Sequence, residues 1–169
     1  AEGMATRGRD MVPVAFHRNR LEAPRRPQEP LGDVPWTTDT MQLLTRIETM
    51  VEGTLTMPPE GIALGRPPLV LLVPGRGRDR DGTFHGHRPL LVLADRLARV
   101  GVASLRIDSP GVGASDPWPA QNGPLTNKEW SLQVSWLVEQ LAQDERFREL
   151  IIAGIGDGAM TAAITAARV

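Results

Sequence analysis

At 169 residues the chain is long enough to bury one core, and 41% hydrophobic with 23% charged residues is a globular composition, which excludes a disordered tract or a fibrous repeat. A formal net charge of -1 supplies no field to gather polyanions, so no nucleic-acid partner is expected, and the lack of cysteine removes disulfides, thiolate nucleophiles and thiolate metal ligands together. No apolar run approaches the roughly 20 residues of a bilayer span and no basic-then-apolar leader opens the chain, so no membrane partner is expected. The arginine bias, with Lys128 the single lysine, points to a soluble bacterial protein, the cytoplasm slightly favoured over the periplasm.

Residues 1–35 are rich in arginine and proline, and Pro13, Pro24, Pro27, Pro30 and Pro35 interrupt every candidate helix. The segment reads as an extended arm, either a poorly ordered terminus or a strap that docks on a neighbouring subunit through Val12, Val14, Phe16 and Leu21; His17 lies in it, more in keeping with exposure than with ligation. Residues 36–169 form the domain. Alternation and β-branched content over 43–57 predict a small hairpin at a sheet edge, turning near Glu52-Gly53 and closed by Pro58-Pro59.

The run 69–73, apolar without alternation, predicts a strand buried on both faces, hence a parallel sheet with helices on each side. A loop rich in glycine and charge follows over 74–86. Leu90, Leu93, Ala94, Leu97 and Ala98 then recur at helical spacing up to a stop at Gly101, and residues 102–107 form the next buried strand. After the loop 108–119, Thr126 with Glu129 reads as a capping box, and Trp130, Val134, Leu137, Val138 and Leu141 line one face of a helix, the tryptophan as core. Residues 150–153 predict a third buried strand, 154–158 a sharp turn and 159–167 a helix of small residues. Strand and helix alternate, so the class is α/β with a mostly parallel sheet flanked by helices.

Three blocks in this order resemble the α/β-hydrolase superfamily, especially its bacterial esterase, lipase and peptidase-like members, over about residues 54–167. The first is Leu71-Leu72-Val73-Pro74-Gly75-Arg76-Gly77 followed by Asp79-Arg80-Asp81-Gly82, similar to the family's strand and oxyanion loop, with Pro74 where a histidine usually stands. The second is Leu105-Arg106-Ile107-Asp108 running through Pro110-Gly111-Val112-Gly113 to Ser115, and the third is Gly154-Ile155-Gly156-Asp157-Gly158, in the strand-to-helix context of the family's nucleophile elbow. The resemblance implies a partial α/β-hydrolase fold with an N-terminal hairpin and a Pro/Arg-rich arm.

At the elbow's centre the resemblance expects serine, and the chain has Gly156, which carries no atom to attack a carbonyl. Family order places the catalytic acid and histidine after the elbow, past Val169. The resemblance leaves an oxyanion hole of backbone N–H groups at Asp157 and around Gly75 and Arg76, an anion or carbonyl pocket to which Arg76 or Arg78 adds charge. Asp157, an alternative nucleophile, is one position out of register. Four residues of one loop, Asp79, Asp81, His85 and His87, offer a divalent metal oxygen and nitrogen ligands for water activation, against the simpler structural reading of the Asp-Arg-Asp-Gly block. No cofactor is otherwise implied. Ser115 is expected to tie its own loop by a local hydrogen bond.

If the strand order is the family's, residues 150–153 form an uncovered hydrophobic edge that invites pairing with another chain, so a homo-oligomer, a dimer through that edge, is expected. A cleft between subunits would then gather His85, His87 or Asp108 from both copies. Two functions follow: a degenerate or truncated hydrolase-like protein in which any ester or phosphoester hydrolysis takes a non-serine route, or a non-catalytic protein on the same scaffold that binds a small-molecule ester or anionic ligand, or serves in assembly.

Overall fold

The computed structural model describes residues 36–63 and 65–169. The expected arm, with its apolar residues and His17, lies outside them.

Five strands form one sheet in the order β1-β2-β4-β3-β5. Strands β1 (Thr37–Leu44) and β2 (Met50–Met57) pair antiparallel, and β2 pairs antiparallel with β4 (Ala103–Ile107). Strand β3 (Leu69–Val73) is flanked by β4 and β5 (Leu150–Gly154), parallel to both. The sheet is therefore mixed: the βαβ units supply its parallel part and the hairpin its antiparallel part. Helix α1 (Pro89–Arg99) links β3 to β4, α2 (Asn127–Leu141) links β4 to β5, and α3 (Asp157–Ala166) follows β5.

Every residue of β3 and β4 is buried; β3 is the unbroken apolar run that coverage of both faces requires, while β4 also buries Ser104 and Arg106. On one side Leu69, Leu71, Val73, Leu105 and Ile107 meet Trp130, Val134, Leu137 and Leu141 of α2; on the other Val70 and Leu72 meet Leu90 and Ala94 of α1. Trp130 is thus core, as its spacing predicts. Helix α1 ends at Arg99, capped by Val100, and Gly101 just beyond takes a φ of 82°, in the left-handed region that glycine adopts freely. Thr126 caps α2 by accepting the Glu129 N–H at 3.2 Å. The capping box is only half formed, since a buried Glu129 carboxylate oxygen has no partner among the described residues.

Two expectations are corrected. The hairpin turns over residues 45–49, where the Thr45 N–H donates to the Thr49 carbonyl, the Thr45 hydroxyl accepts the Thr49 N–H and Glu48 takes a φ of 58°. Glu52 and Gly53 lie inside β2. The glycine there serves close approach: a Cβ at Gly53 would stand 2.8 Å from the Arg106 carbonyl oxygen on β4. The run 150–153, which composition predicts as a buried strand and the strand order implied by the resemblance predicts as an open edge, is the half-exposed edge; β5 pairs only with β3 among the described residues, and Ile151 is 46% exposed. No helix among the described residues is long and apolar enough to cross a membrane.

Candidate functional site: a glycine elbow over an open pocket

Glycines of the 154–158 turn do two different jobs. A Cβ on Gly154 would lie 2.3 Å from the carbonyl of Gly158, and one on Gly158 would lie 2.2 Å from the Val73 carbonyl oxygen, so both let α3 abut the ends of β5 and β3. Gly156 is unlike them. It takes φ 60° and ψ -126°, a conformation that costs side-chain-bearing residues energy, yet a Cβ there would meet nothing within 4 Å. The backbone takes the sharp turn that the resemblance expects at an elbow, and the position where the resemblance expects serine opens into free space.

That space is a pocket of about 390 Å³, in the range of small-molecule sites. Pro74, Gly75, Arg76 and Arg78 line it from the loop after β3, Gly82 and Phe84 from the approach to α1, Leu90 from α1 itself, and Ile155, Gly156 and Asp157 from the elbow. The Gly75 loop packs on the helix start, a Cβ at Gly75 falling 3.6 Å from the Asp157 Cβ and 3.9 Å from its backbone nitrogen. No hydrogen bond among the described residues uses the backbone N–H of Arg76 or of Asp157. These are the two donors expected to form an oxyanion hole, brought to one pocket with donor capacity unspent.

Loop placement follows from hydrogen bonds that spacing does not reveal. The Ser109 hydroxyl donates to the Gly75 carbonyl at 3.0 Å, the Ser109 N–H donates to the Arg78 carbonyl at 3.2 Å, and the Arg78 N–H closes a turn on the Gly75 carbonyl at 3.0 Å. Ser109 is buried and braces the pocket loop from the loop after β4. Its signal in the sequence is only its position just after Asp108. Ser115, expected to tie its own loop locally, accepts instead from the Glu52 N–H on β2 at 2.9 Å.

The Asp-Arg-Asp-Gly block is structural. Asp79 accepts the backbone N–H groups of Asp81 and Thr83 at 3.2 and 2.9 Å. Arg80 donates to Asp108 Oδ2 from Nε at 3.0 Å and from Nη2 at 2.6 Å, to Thr54 Oγ1 at 2.9 Å and to Glu52, while its own N–H meets Asp108 Oδ1 at 2.6 Å. Burial works against the Arg80 charge, but the Asp108 and Glu52 carboxylates prevail and hold its pKa above the ordinary guanidinium value. Asp81 is buried and bridges Arg88 to Arg106, a β4 residue that is 1% exposed and whose pKa burial lowers. Asp108, offered as a candidate for catalysis, is thereby consumed in holding two loops together.

The metal set is corrected on the same grounds. Asp79 and Asp81 are occupied by backbone donors and arginines, and His85 and His87 are exposed on a tight turn in which the Phe84 and His87 backbones pair and His85 takes φ 47° beside Gly86 at φ 80°. No group of three or more His, Asp or Glu among the described residues is placed to hold a metal. Asp157 opens α3 as its first residue, its carboxylate 3.5 Å from Arg76 Nη2 in an exposed pair. It stands beside the elbow's centre, as its register predicts.

No protein-family model matches the sequence, and no curated protein matches it. Solved structures do resemble the chain. The α/β hydrolase GrgF from a Penicillium species aligns with 79% of this chain and 42% of its own at 19% identity, with a TM-score of 0.64. The Pyrococcus furiosus esterase Pf2001 aligns with 81% of this chain and 47% of its own at 16% identity and a TM-score of 0.63. XC6422 from Xanthomonas campestris, described as an α/β serine hydrolase without a lid, gives 77% and 56% at 15% identity and 0.59. At these identities the likeness establishes the fold: the described chain is a partial α/β-hydrolase fold, and it spans about half the length of the structures it matches.

Proposed function

We propose that this chain is a degenerate hydrolase-like scaffold that binds a small acyl-type ligand at the elbow pocket without forming a covalent intermediate. One observation carries the reading: Gly156 keeps the strained backbone of an elbow while presenting no side chain, and the space above it is open. Acyl transfer through the elbow needs an oxygen, sulfur or carboxylate at that centre. Binding needs only donors and walls, and the unspent N–H groups of Arg76 and Asp157 beside an apolar lining provide both. The esterases and hydrolases of similar fold favour a ligand with a carbonyl or carboxylate oxygen over a sugar or a nucleotide.

The test is a ¹H–¹⁵N correlation titration with short-chain acids, amides and esters, alongside turnover of p-nitrophenyl acetate and bis-p-nitrophenyl phosphate. Saturable shifts centred on Gly75, Arg76, Gly156 and Asp157, with turnover no faster than buffer, are expected. Turnover that disappears in Asp157→Ala or His85→Ala would replace this reading with hydrolysis by a non-serine route.

A second reading, assembly, draws on the exposed edge. Strand β5 offers an unpaired backbone edge among the described residues, with exposed Ile151 in it and Ile155 next to it. We propose that a second copy pairs there, extending the sheet across a two-fold axis.

A further inference from the structure

We infer that the elbow pocket selects a small monocarboxylate bearing an apolar tail, and that Arg76 is the residue that tells the acid from its neutral amide. This rests on the ligand-binding reading above and names the ligand class. The pocket has two kinds of wall. Arg76, Arg78 and Asp157 supply charge, and Phe84 and Ile155 supply accessible apolar surface over a floor of buried Pro74 and Leu90.

Two guanidinium groups face one carboxylate, leaving the charged wall net positive. Both arginines are held chiefly by neutral groups, so their charge is anchored but not cancelled: Arg76 Nη1 donates to the Leu125 carbonyl at 3.0 Å, while Arg78 Nη1 donates to the Thr83 carbonyl at 3.0 Å and its guanidinium lies 5.4 Å from the centre of the Phe84 ring. The one opposing charge, Asp157, sits 3.5 Å from Arg76 Nη2 with both side chains solvated, a separation at which an exposed pair is weakly held. A ligand carboxylate can take over Asp157's place on Arg76 with the better geometry of a charge-assisted hydrogen bond. A dianion meets Asp157 at close range, which favours the monoanion.

Gly156 supplies room. With nothing within 4 Å of its absent Cβ, a carboxylate can stand over the elbow where a side chain would otherwise project. The tail has a place as well: Phe84 and Ile155 are exposed at 56% and 48%, apolar surface in a polar-rimmed pocket that an alkyl or aryl group would cover.

The experiment is isothermal titration of the whole chain and of Arg76→Gln with hexanoate, hexanamide, acetate and inorganic phosphate. Hexanoate should bind about ten-fold more tightly than hexanamide, the difference made by one charge-assisted contact, and more tightly than acetate or phosphate. In Arg76→Gln the hexanoate affinity should fall about ten-fold, to the level of hexanamide, with hexanamide unchanged. Circular dichroism checks that the variant is folded, and Arg76→Lys, which keeps the charge, should retain most of the discrimination. Equal affinity for hexanoate and hexanamide, or tighter binding of phosphate, would overturn the inference and leave the ligand-binding reading standing. Failure of all four ligands to bind would overturn both.

Discussion

Replacing Gly156 by serine separates the elbow's geometry from its chemistry. The substitution puts a Cβ on backbone at φ 60° and ψ -126°, strain worth about 1–3 kcal/mol, but adds no clash, since nothing lies within 4 Å of the new atom. Gly158→Ala is the contrast. Its Cβ would fall 2.2 Å from the Val73 carbonyl oxygen and 2.8 Å from the Pro74 carbonyl carbon, backbone that moves only if α3 lifts off β3. Overpacking of that kind costs about 1–3 kcal/mol and more where the neighbour is rigid, added to the loss of the close helix-strand seat. Against a typical domain stability of about 5–15 kcal/mol, Gly156→Ser should remain folded with a shifted urea midpoint, and Gly158→Ala should lose distinctly more or fail to fold. Urea unfolding of the two variants, followed by circular dichroism with m-values compared, is the assay. Equal losses, or a Gly158→Ala variant within about 0.5 kcal/mol of the parent, would refute the division of labour between these glycines.

Other perturbations probe the scaffold around the pocket. Asp81→Asn leaves the buried Arg106 and its neighbour Arg88 without a carboxylate and should destabilise the domain by about 3–5 kcal/mol in denaturant unfolding, while a loss under 1 kcal/mol would mean that the pair is not what joins the loop to β4. Thr126→Ala removes the cap of α2 and should cost about 1 kcal/mol by the same measurement, with no change in ligand affinity. Ile151→Lys places a charge on the open edge and should convert a dimer to monomer in light scattering at micromolar concentration, and a parent chain that is already monodisperse as a monomer would dismiss edge pairing. The Arg146 hydrogen bonds hold the Asp144 pKa below the usual carboxylate range, so its contribution to stability is present above the unfolded pKa and lost as pH falls through the depressed one. Because the pair is largely solvated, Asp144→Asn should flatten the acid limb of a stability-pH profile by well under about 1 kcal/mol.

Much of the fold could be read from residue patterns because burial on two faces and burial on one leave different marks. The unbroken run of β3, the helical spacing from Leu90 to Ala98 and the Trp130 face of α2 each match an observed element. The hairpin turn was not legible. Glu52-Gly53 looks like a turn by composition, yet Gly53 is there because β4 passes close to it, a contact between segments about fifty residues apart. For the same reason composition alone reads β5 as buried, since an apolar strand at an open edge and one inside a sheet are composed alike; the edge was legible only through the strand order that the resemblance implies.

The placement of the candidate residues was legible in outline. The elbow's glycine pattern and the expected backbone donors meet at one pocket, whereas the loop carboxylates offered as metal ligands are committed elsewhere. Which arginine meets Asp81 depends on where β4 lies relative to the loop, information that spacing along one loop does not hold. Ser109, which braces Gly75, was missed because a single hydroxyl in a loop carries no periodic signature.

Intact-mass spectrometry after exposure to a fluorophosphonate tests the absence of an elbow nucleophile most directly. The predicted outcome is an unmodified mass under conditions that fully label a serine esterase run in parallel. A stoichiometric adduct mapped by peptide sequencing to any serine or threonine, such as Thr83 or Ser109 beside the pocket loop, would contradict it.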